Sequence, residues 1–129
     1  MAIRKNLPPL AEAQMEIMNI LWRTGGGSVA DVLEQIRAHR PVSRNTVQTM
    51  LSRLDEKGWL AHRDAGGTFY YSPTVRREQA QHQVLGRVID TVFDGSAAGI
   101  VMALLQNRSL TREEAARIRK MIKEAEERR

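Results

Sequence analysis

The 129-residue sequence contains no cysteine and few aromatic residues, and both absences limit what the protein can be. Without cysteine, the chain can form neither disulfide bonds nor thiolate metal sites. Only 5% of the residues are aromatic although 42% are hydrophobic, so we expect a core of helices packed by aliphatic side chains. The sequence also lacks an apolar run that is long enough to span a membrane. It lacks the apolar segment of a signal peptide as well. We therefore expect a cytoplasmic protein with no membrane insertion.

The chain also has no group of residues that is typical of an active site or a cofactor site. Its histidines, His39, His62 and His82, do not pair with one another at a spacing that suits a metal ion. The segment Gly25-Gly26-Gly27 lacks the lysine and the serine or threonine of a phosphate-binding loop. No nucleophile motif or catalytic triad is recognisable. We predict that the protein is not an enzyme and that it needs neither a cofactor nor a metal.

The net charge of +5 is unevenly distributed along the chain. Residues 1–36 contain three basic and four acidic residues, a net charge of −1. Residues 37–63 contain six basic and two acidic residues, a net charge of +4. A basic cluster often means no more than a solvated surface, but clustered positive charge is also the electrostatic signature of nucleic-acid binding.

This basic cluster surrounds a segment, residues 42–59, that has the pattern of one amphipathic helix. Ser43 is a favourable N-cap, and Gly58 can adopt the left-handed conformation that ends a helix. Apolar residues recur at the spacing i, i+3, i+4, i+7, which places them on one face towards a core. These residues are Val47, Met50, Leu51 and Leu54.

The opposite face of this helix carries short amides and hydroxyls between arginines, where an ordinary surface helix has pairs of glutamate and lysine. Asparagine and glutamine can pair with adenine, and arginine with guanine or a phosphate. We predict that Asn45, Gln48 and Thr49 read bases in the major groove. The DNA backbone would be held by Ser43, Arg44, Arg53, Lys57 and Arg63.

The elements around this helix complete a winged helix-turn-helix. Two helices are predicted before it, over residues 10–23 and from the capping box at Ser28 onwards. After it, residues 59–63 and 68–72 form a hairpin pattern around a glycine-containing turn. Alternation along the second strand places Tyr70 and Tyr71 on opposite faces, so one of them is free to reach a phosphate or a sugar. The alternation does not say which one.

The remaining residues, 74–129, have the pattern of three helices. Little else in the chain is left for their apolar faces to pack against. We therefore predict a mainly α fold with a small β-hairpin wing: a winged-helix DNA-binding domain over residues 1–73 and a three-helix dimerisation module over residues 74–129. The alternative is that these helices form a bundle with the N-terminal domain of the same chain. The predicted dimer contacts are Val88, Val92, Ile100, Val101, Leu104, Leu105, Ile118, Met121 and Ile122.

Three of these segments together resemble the penicillinase repressor family, which includes the methicillin-resistance and copper-operon repressors. They are Leu10–Trp22, with its Leu-Trp ending; Ser43–Gly58, with its Thr-Val-x-Thr-x-Leu-x-Arg-Leu core; and the wing ending Phe69–Ser72. The resemblance covers about residues 7–125. It implies a homodimeric repressor that binds a palindromic double-stranded operator and controls β-lactam-resistance or related stress genes. By position, the DNA-facing residues would be Ser43, Arg44, Asn45, Thr46, Gln48, Thr49, Arg53 and one of Tyr70 and Tyr71.

The sequence departs from the family pattern in two places. Copper-responsive members use C-terminal cysteines, which are absent here, so thiolate metal sensing is excluded. Penicillinase repressors are cleaved at an Asn-Phe bond, and the aligned position near Ala103-Leu104 does not reproduce that pair. A membrane sensor metalloprotease as partner is therefore implied by the resemblance alone. Two alternatives stay open: a small-molecule-responsive winged-helix repressor, and a winged-helix protein-interaction module that does not bind DNA.

Overall fold

The computed structural model describes residues 7–128 as six helices and one antiparallel hairpin, which confirms the predicted fold class. The chain divides into two compact units, of which the first ends at Leu85 and the second begins at Gly86. The division between DNA-binding and dimerisation residues after residue 73 stays a prediction. The elements are α1 (Glu12–Thr24), α2 (Val29–Arg37), α3 (Arg44–Glu56), β1 (Leu60–Ala65), β2 (Thr68–Pro73), α4 (Arg77–Thr91), α5 (Ala97–Asn107) and α6 (Arg112–Glu127).

The first unit has one hydrophobic core, to which α1, α2, α3 and the hairpin all contribute. The predicted apolar face of α3 points into this core: Val47, Leu51 and Leu54 have no exposed surface, and Met50 packs at its edge. Because the buried side of α3 is anchored, its polar side faces solvent. Other large buried side chains are Ile17, Met18, Leu21, Val32, Ile36 and Trp59.

Both ends of α3 are closed as the sequence predicts. The Ser43 hydroxyl accepts a hydrogen bond from the Thr46 amide at 3.1 Å. At the other end Gly58 has a φ of +91°, and the Trp59 amide donates to the Leu54 carbonyl at 3.0 Å. This six-to-one bond is typical of a Schellman ending, in which the glycine takes the left-handed position. The buried Trp59 follows, and the first strand of the hairpin begins at the next residue, Leu60.

The hairpin, which we call the wing, runs in the register Leu60↔Pro73 to Ala65↔Thr68. Its turn is formed by Gly66 and Gly67, with φ values of +65° and +86°. Two successive positive φ values define the type I′ turn that suits the twist of a two-residue hairpin.

The triglycine segment before α2 is paired with the wing. Gly27 forms a β-bridge with Tyr71: its amide donates to the Tyr71 carbonyl at 2.9 Å, and the Tyr71 amide donates back at 2.8 Å. Gly26 has a φ of +135°, and a Cβ there would lie 2.9 Å from the same Tyr71 carbonyl oxygen. The glycines therefore allow the chain to approach the wing closely and tie the wing to the helical core.

The second unit is helical and exposes many of its large apolar side chains. Ser96 caps α5, and Thr111 forms a capping box with Glu114 at the start of α6. Neither helix contains a buried residue. The exposed fraction of the residue surface is between 45% and 70% at Val92, Val101, Met102, Leu104, Leu105, Met121 and Ile122. Within residues 7–128, no helix has both the length and the apolar character required to cross a bilayer.

Candidate nucleic-acid interface

The outer side of α3 presents one continuous polar surface. Its members follow the spacing i, i+3, i+4, i+7, so they lie on one side of the helix, opposite the buried apolar residues. All of them are exposed, and acidic residues appear only in the last turn of α3. We call this surface the polar stripe: Asn45, Gln48, Thr49 and Ser52.

Two arginines flank the polar stripe, and both are exposed. Over the part of the chain that the structure describes, the salt bridges involve neither Arg44 nor Arg53. Arg40, which also belongs to the basic cluster, is instead bonded to the Glu16 carboxylate at 2.5 Å. This hydrogen bond and the negative charge of Glu16 raise the pKa of the Arg40 guanidinium. The charges that stay available beside the polar stripe are therefore those of Arg44 and Arg53.

Lys57 was predicted to hold the DNA backbone, but its side chain is engaged within the protein. Its ammonium group donates to the Pro9 carbonyl at 3.1 Å and to the Gln14 side-chain oxygen at 2.9 Å. The residue is half-buried. A charge that is engaged in two hydrogen bonds within the protein is a poor phosphate contact, so Lys57 is removed from the candidate interface.

The structure also separates the two wing tyrosines. Tyr71 is 5% exposed and belongs to the hydrophobic core, so it is removed from the candidate interface. Tyr70 is 36% exposed on the other face of the strand. There the guanidinium of Arg63 lies 5.1 Å from the centre of the Tyr70 ring. Arg63 and Tyr70 thus form one pair, on the wing face opposite to the one that packs inwards.

Sequence reasoning missed Phe69, which lies on the same wing face as Tyr71 but nearer the tip. It is 43% exposed and faces a groove of about 380 Å³ between the wing and α3. Arg44 and Gln48 line the same groove. Period-two alternation would have placed Phe69 and Tyr71 on one face, but nothing in the sequence showed that this face looks towards α3. We call this cleft the wing groove.

The residues that the structure describes contain no group of three histidine or acidic side chains arranged to hold a metal ion. The candidate interface consists of amides, hydroxyls and arginines on α3, with an aromatic wing beside them.

A model of the penicillinase repressor family matches residues 10–124 of the chain. The chain belongs to the penicillinase repressor family. The penicillinase repressor of Bacillus licheniformis is 28% identical over 124 residues, which cover 93% of this chain and 94% of that protein. The methicillin resistance regulatory protein MecI of Mammaliicoccus sciuri is 24% identical over 113 residues, or 88% of this chain and 92% of that one. These are transcriptional repressors, which are not a class of enzyme.

Solved structures of this family resemble part of the chain. The DNA-binding domain of the repressor BlaI is 30% identical, with a TM-score of 0.52 over 59% of this chain and 93% of that one. Bacillus licheniformis BlaI, solved as a monomer in complex with the blaP half-operator, has the same identity and coverage and a TM-score of 0.51. A mutant of MarR from E. coli, 16% identical, has a TM-score of 0.51 over 90% of this chain and 77% of that one. That likeness shows the fold alone.

Proposed function

We propose that this repressor reads double-stranded operator DNA by placing the polar stripe of α3 in the major groove. The observation that carries the proposal is the pairing, on one helix, of a buried apolar face with an exposed face of amides, hydroxyls and arginines. Among residues 7–128, these arginines have no salt bridge to an acidic side chain. Such a face can bond base edges and phosphates at the same time. The related BlaI, solved in complex with the blaP half-operator, supports DNA as the partner of this surface.

The proposed roles follow from position on the helix. Asn45, Gln48 and Thr49 lie in the stripe and bond base edges. Arg44 and Arg53 lie on either side of it and bond phosphates of the flanking strands. Ser43 and Thr46, in the first turn, bond a phosphate near the positive end of the helix dipole. Arg63 and Tyr70 supply a further backbone contact from the outer wing face.

We further propose that the repressor binds as a homodimer on a palindromic operator and that it works in the cytoplasm. The exposed apolar side chains of α5 and α6 support the dimer, because a second copy would remove them from water. Two-fold symmetry would present two α3 helices to two half-sites. Two further proposals are supported by the family alone. The first is that the repressor controls β-lactam-resistance or related genes. The second is that a membrane sensor metalloprotease cleaves it near Ala103-Leu104 and so releases it from DNA. That bond lies inside α5, so cleavage would require the helix to unwind locally.

Replacing Gln48 by alanine tests the reading face. If Gln48 bonds adenine through both side-chain atoms, Gln48→Ala should cost about 1–3 kcal/mol, or about 5–150-fold in affinity, at one base position. Fluorescence anisotropy on promoter DNA of the protein's own gene, with each base pair changed in turn, measures this loss. The matched control is Gln81→Ala, which truncates an exposed glutamine of α4. If affinity and base preference are the same for Gln48→Ala as for the wild type, the assignment of the polar stripe is wrong.

Arg53→Ala and Lys57→Ala form a second test, because both remove one positive charge from neighbouring turns of the chain. Arg53→Ala should weaken binding to all DNA sequences alike and reduce the slope of log K against log salt by about one. Lys57→Ala should leave that slope unchanged, since its ammonium is bonded to Pro9 and Gln14. Anisotropy titrations across a salt series give both slopes. A reduced slope for Lys57→Ala would return this lysine to the interface.

A further inference from the structure

Three rings on the inner wing face, which we call the stack, pack against one another between the hydrophobic core and the wing groove. Of these, His62 and Phe69 are nearly parallel, and the Tyr71 ring is tilted against both. The imidazole of His62 lies 4.4 Å from the centre of the Phe69 ring, nearly parallel to it at 23°. It also lies 5.8 Å from the Tyr71 ring. Tyr71 is buried, while Phe69 at the other end of the stack is 43% exposed. His62 therefore connects a fixed ring to an accessible one.

The stack is also joined to α3. The Nδ1 atom of His62 is hydrogen-bonded to Oδ2 of Asp55, which lies in the last turn of that helix. The β-bridge between Tyr71 and Gly27 fixes the inner end of the stack through the backbone. These two attachments hold the Phe69 ring at a defined position relative to the residues of the polar stripe.

The wing groove has two chemically different walls. On the wing, Phe69 supplies an apolar aromatic face, whereas Arg44 and Gln48 on α3 supply a positive charge and an amide. The start of α2, residues 28–30, also lines the groove. A sugar–phosphate strand has the same division, since each deoxyribose presents apolar carbons and each phosphate presents negative charge. An exposed aromatic ring beside an arginine suits such a strand, because the ring can pack on sugar carbons while the guanidinium bonds a phosphate.

We propose that the wing groove holds one sugar–phosphate strand of the operator, in which the Phe69 ring packs on a deoxyribose while Arg44 bonds the adjacent phosphate. His62, held by Asp55, is the positioning residue for Phe69. This inference rests on the proposed function, because it requires α3 to lie in the neighbouring major groove. It makes Phe69 a backbone contact of the inner wing face, distinct from the pair of Arg63 and Tyr70 on the outer face.

The test compares Phe69→Ala with Tyr70→Ala, which truncate adjacent wing aromatics on opposite faces. Phe69→Ala should weaken operator binding roughly tenfold, a loss in keeping with the apolar area that one aromatic ring covers. Phe69→Leu should restore most of the affinity because it keeps an apolar contact. In hydroxyl-radical footprinting, which reports access to the deoxyriboses, Phe69→Ala should lose protection of the sugars next to the base that Gln48 reads. Tyr70→Ala should keep that protection.

The positioning role of His62 is tested by a double-mutant cycle. His62→Ala should weaken operator binding in the wild-type background, but it should add little in the Phe69→Ala background, because the ring that it orients is then absent. If His62→Ala instead caused a general loss of structure, it would weaken operator binding as much in the Phe69→Ala background as in the wild type. Thermal unfolding of each variant confirms that the proteins compared are folded.

The outcomes separate this inference from the proposed function. If Gln48→Ala loses base discrimination but Phe69→Ala keeps both affinity and sugar protection, the operator strand does not occupy the wing groove and only this inference is overturned. If the losses of His62→Ala and Phe69→Ala are additive, the positioning role is overturned. If the wild-type protein shows no preference for operator DNA, the proposed function and this inference fail together.

Discussion

Leu105→Glu is expected to convert a dimer into a monomer and to weaken operator binding by about 10²–10⁴-fold, the usual gain when two binding modules act on one target. Leu105 is 56% exposed on α5, among other exposed apolar side chains of the second unit. If a second copy covers this surface, a glutamate at position 105 would bury an unpaired charge in an apolar contact, which is unfavourable. Each half-site would then be bound by one chain alone.

The matched control is Gln106→Glu, which introduces the same negative charge one residue away on an exposed polar side chain. Sedimentation velocity at micromolar concentration gives the oligomeric state, and anisotropy on a full operator gives the affinity. Gln106→Glu should stay dimeric and bind like the wild type. If Leu105→Glu is as dimeric as its control, the apolar surface of α5 is not the dimer contact, and the proposed contacts of the second unit must lie elsewhere.

Leu51→Ala is expected to reduce the free energy of unfolding by about 2–5 kcal/mol, the range measured for leucine truncations in packed cores. Leu51 has no exposed surface and lies in the middle of the apolar face of α3. The truncation leaves a cavity where α3 packs against the core, so the helix that we propose reads DNA would lose its anchor.

Urea unfolding followed by circular dichroism, at one fixed protein concentration, measures this loss. The matched control is Ser52→Ala, at the next residue along α3. Because this side chain is exposed, the substitution should change the free energy of unfolding by no more than about 0.5 kcal/mol. Ser52→Ala should therefore unfold like the wild type. Equal destabilisation by the two substitutions would mean that the buried and exposed faces of α3 are wrongly assigned.

The elements that the sequence predicts correctly are those whose signals are local. Ser43 and Ser28 start helices because their hydroxyls accept hydrogen bonds from amides three residues later. Gly66 and Gly67 form the hairpin turn because both can adopt positive φ. The apolar and polar faces of α3 follow from helical periodicity alone. These features depend only on residues within one or two turns of each other.

The features that sequence reasoning missed depend on residues that are distant in the chain. Lys57 is bonded to residues 9 and 14, which local spacing does not bring near it. Gly27 pairs with Tyr71 across the fold, so the triglycine segment gave no local sign of its bridge. Alternation separated Tyr70 from Tyr71, but only the packing of the core decides which one is buried. Phe69 was missed because only the packing of the wing shows that its face looks towards α3.

The measurement that tests the central claim most directly is fluorescence anisotropy of the purified protein on promoter DNA of its own gene, against a scrambled duplex of equal length, across a salt series. A homodimeric repressor that reads bases with α3 should bind the promoter far more tightly than the scrambled duplex, with two chains per duplex and an affinity that falls steeply with salt. Equal and weak binding to both duplexes, with no preference for the promoter at any salt concentration, would contradict the claim that the polar stripe of α3 reads an operator.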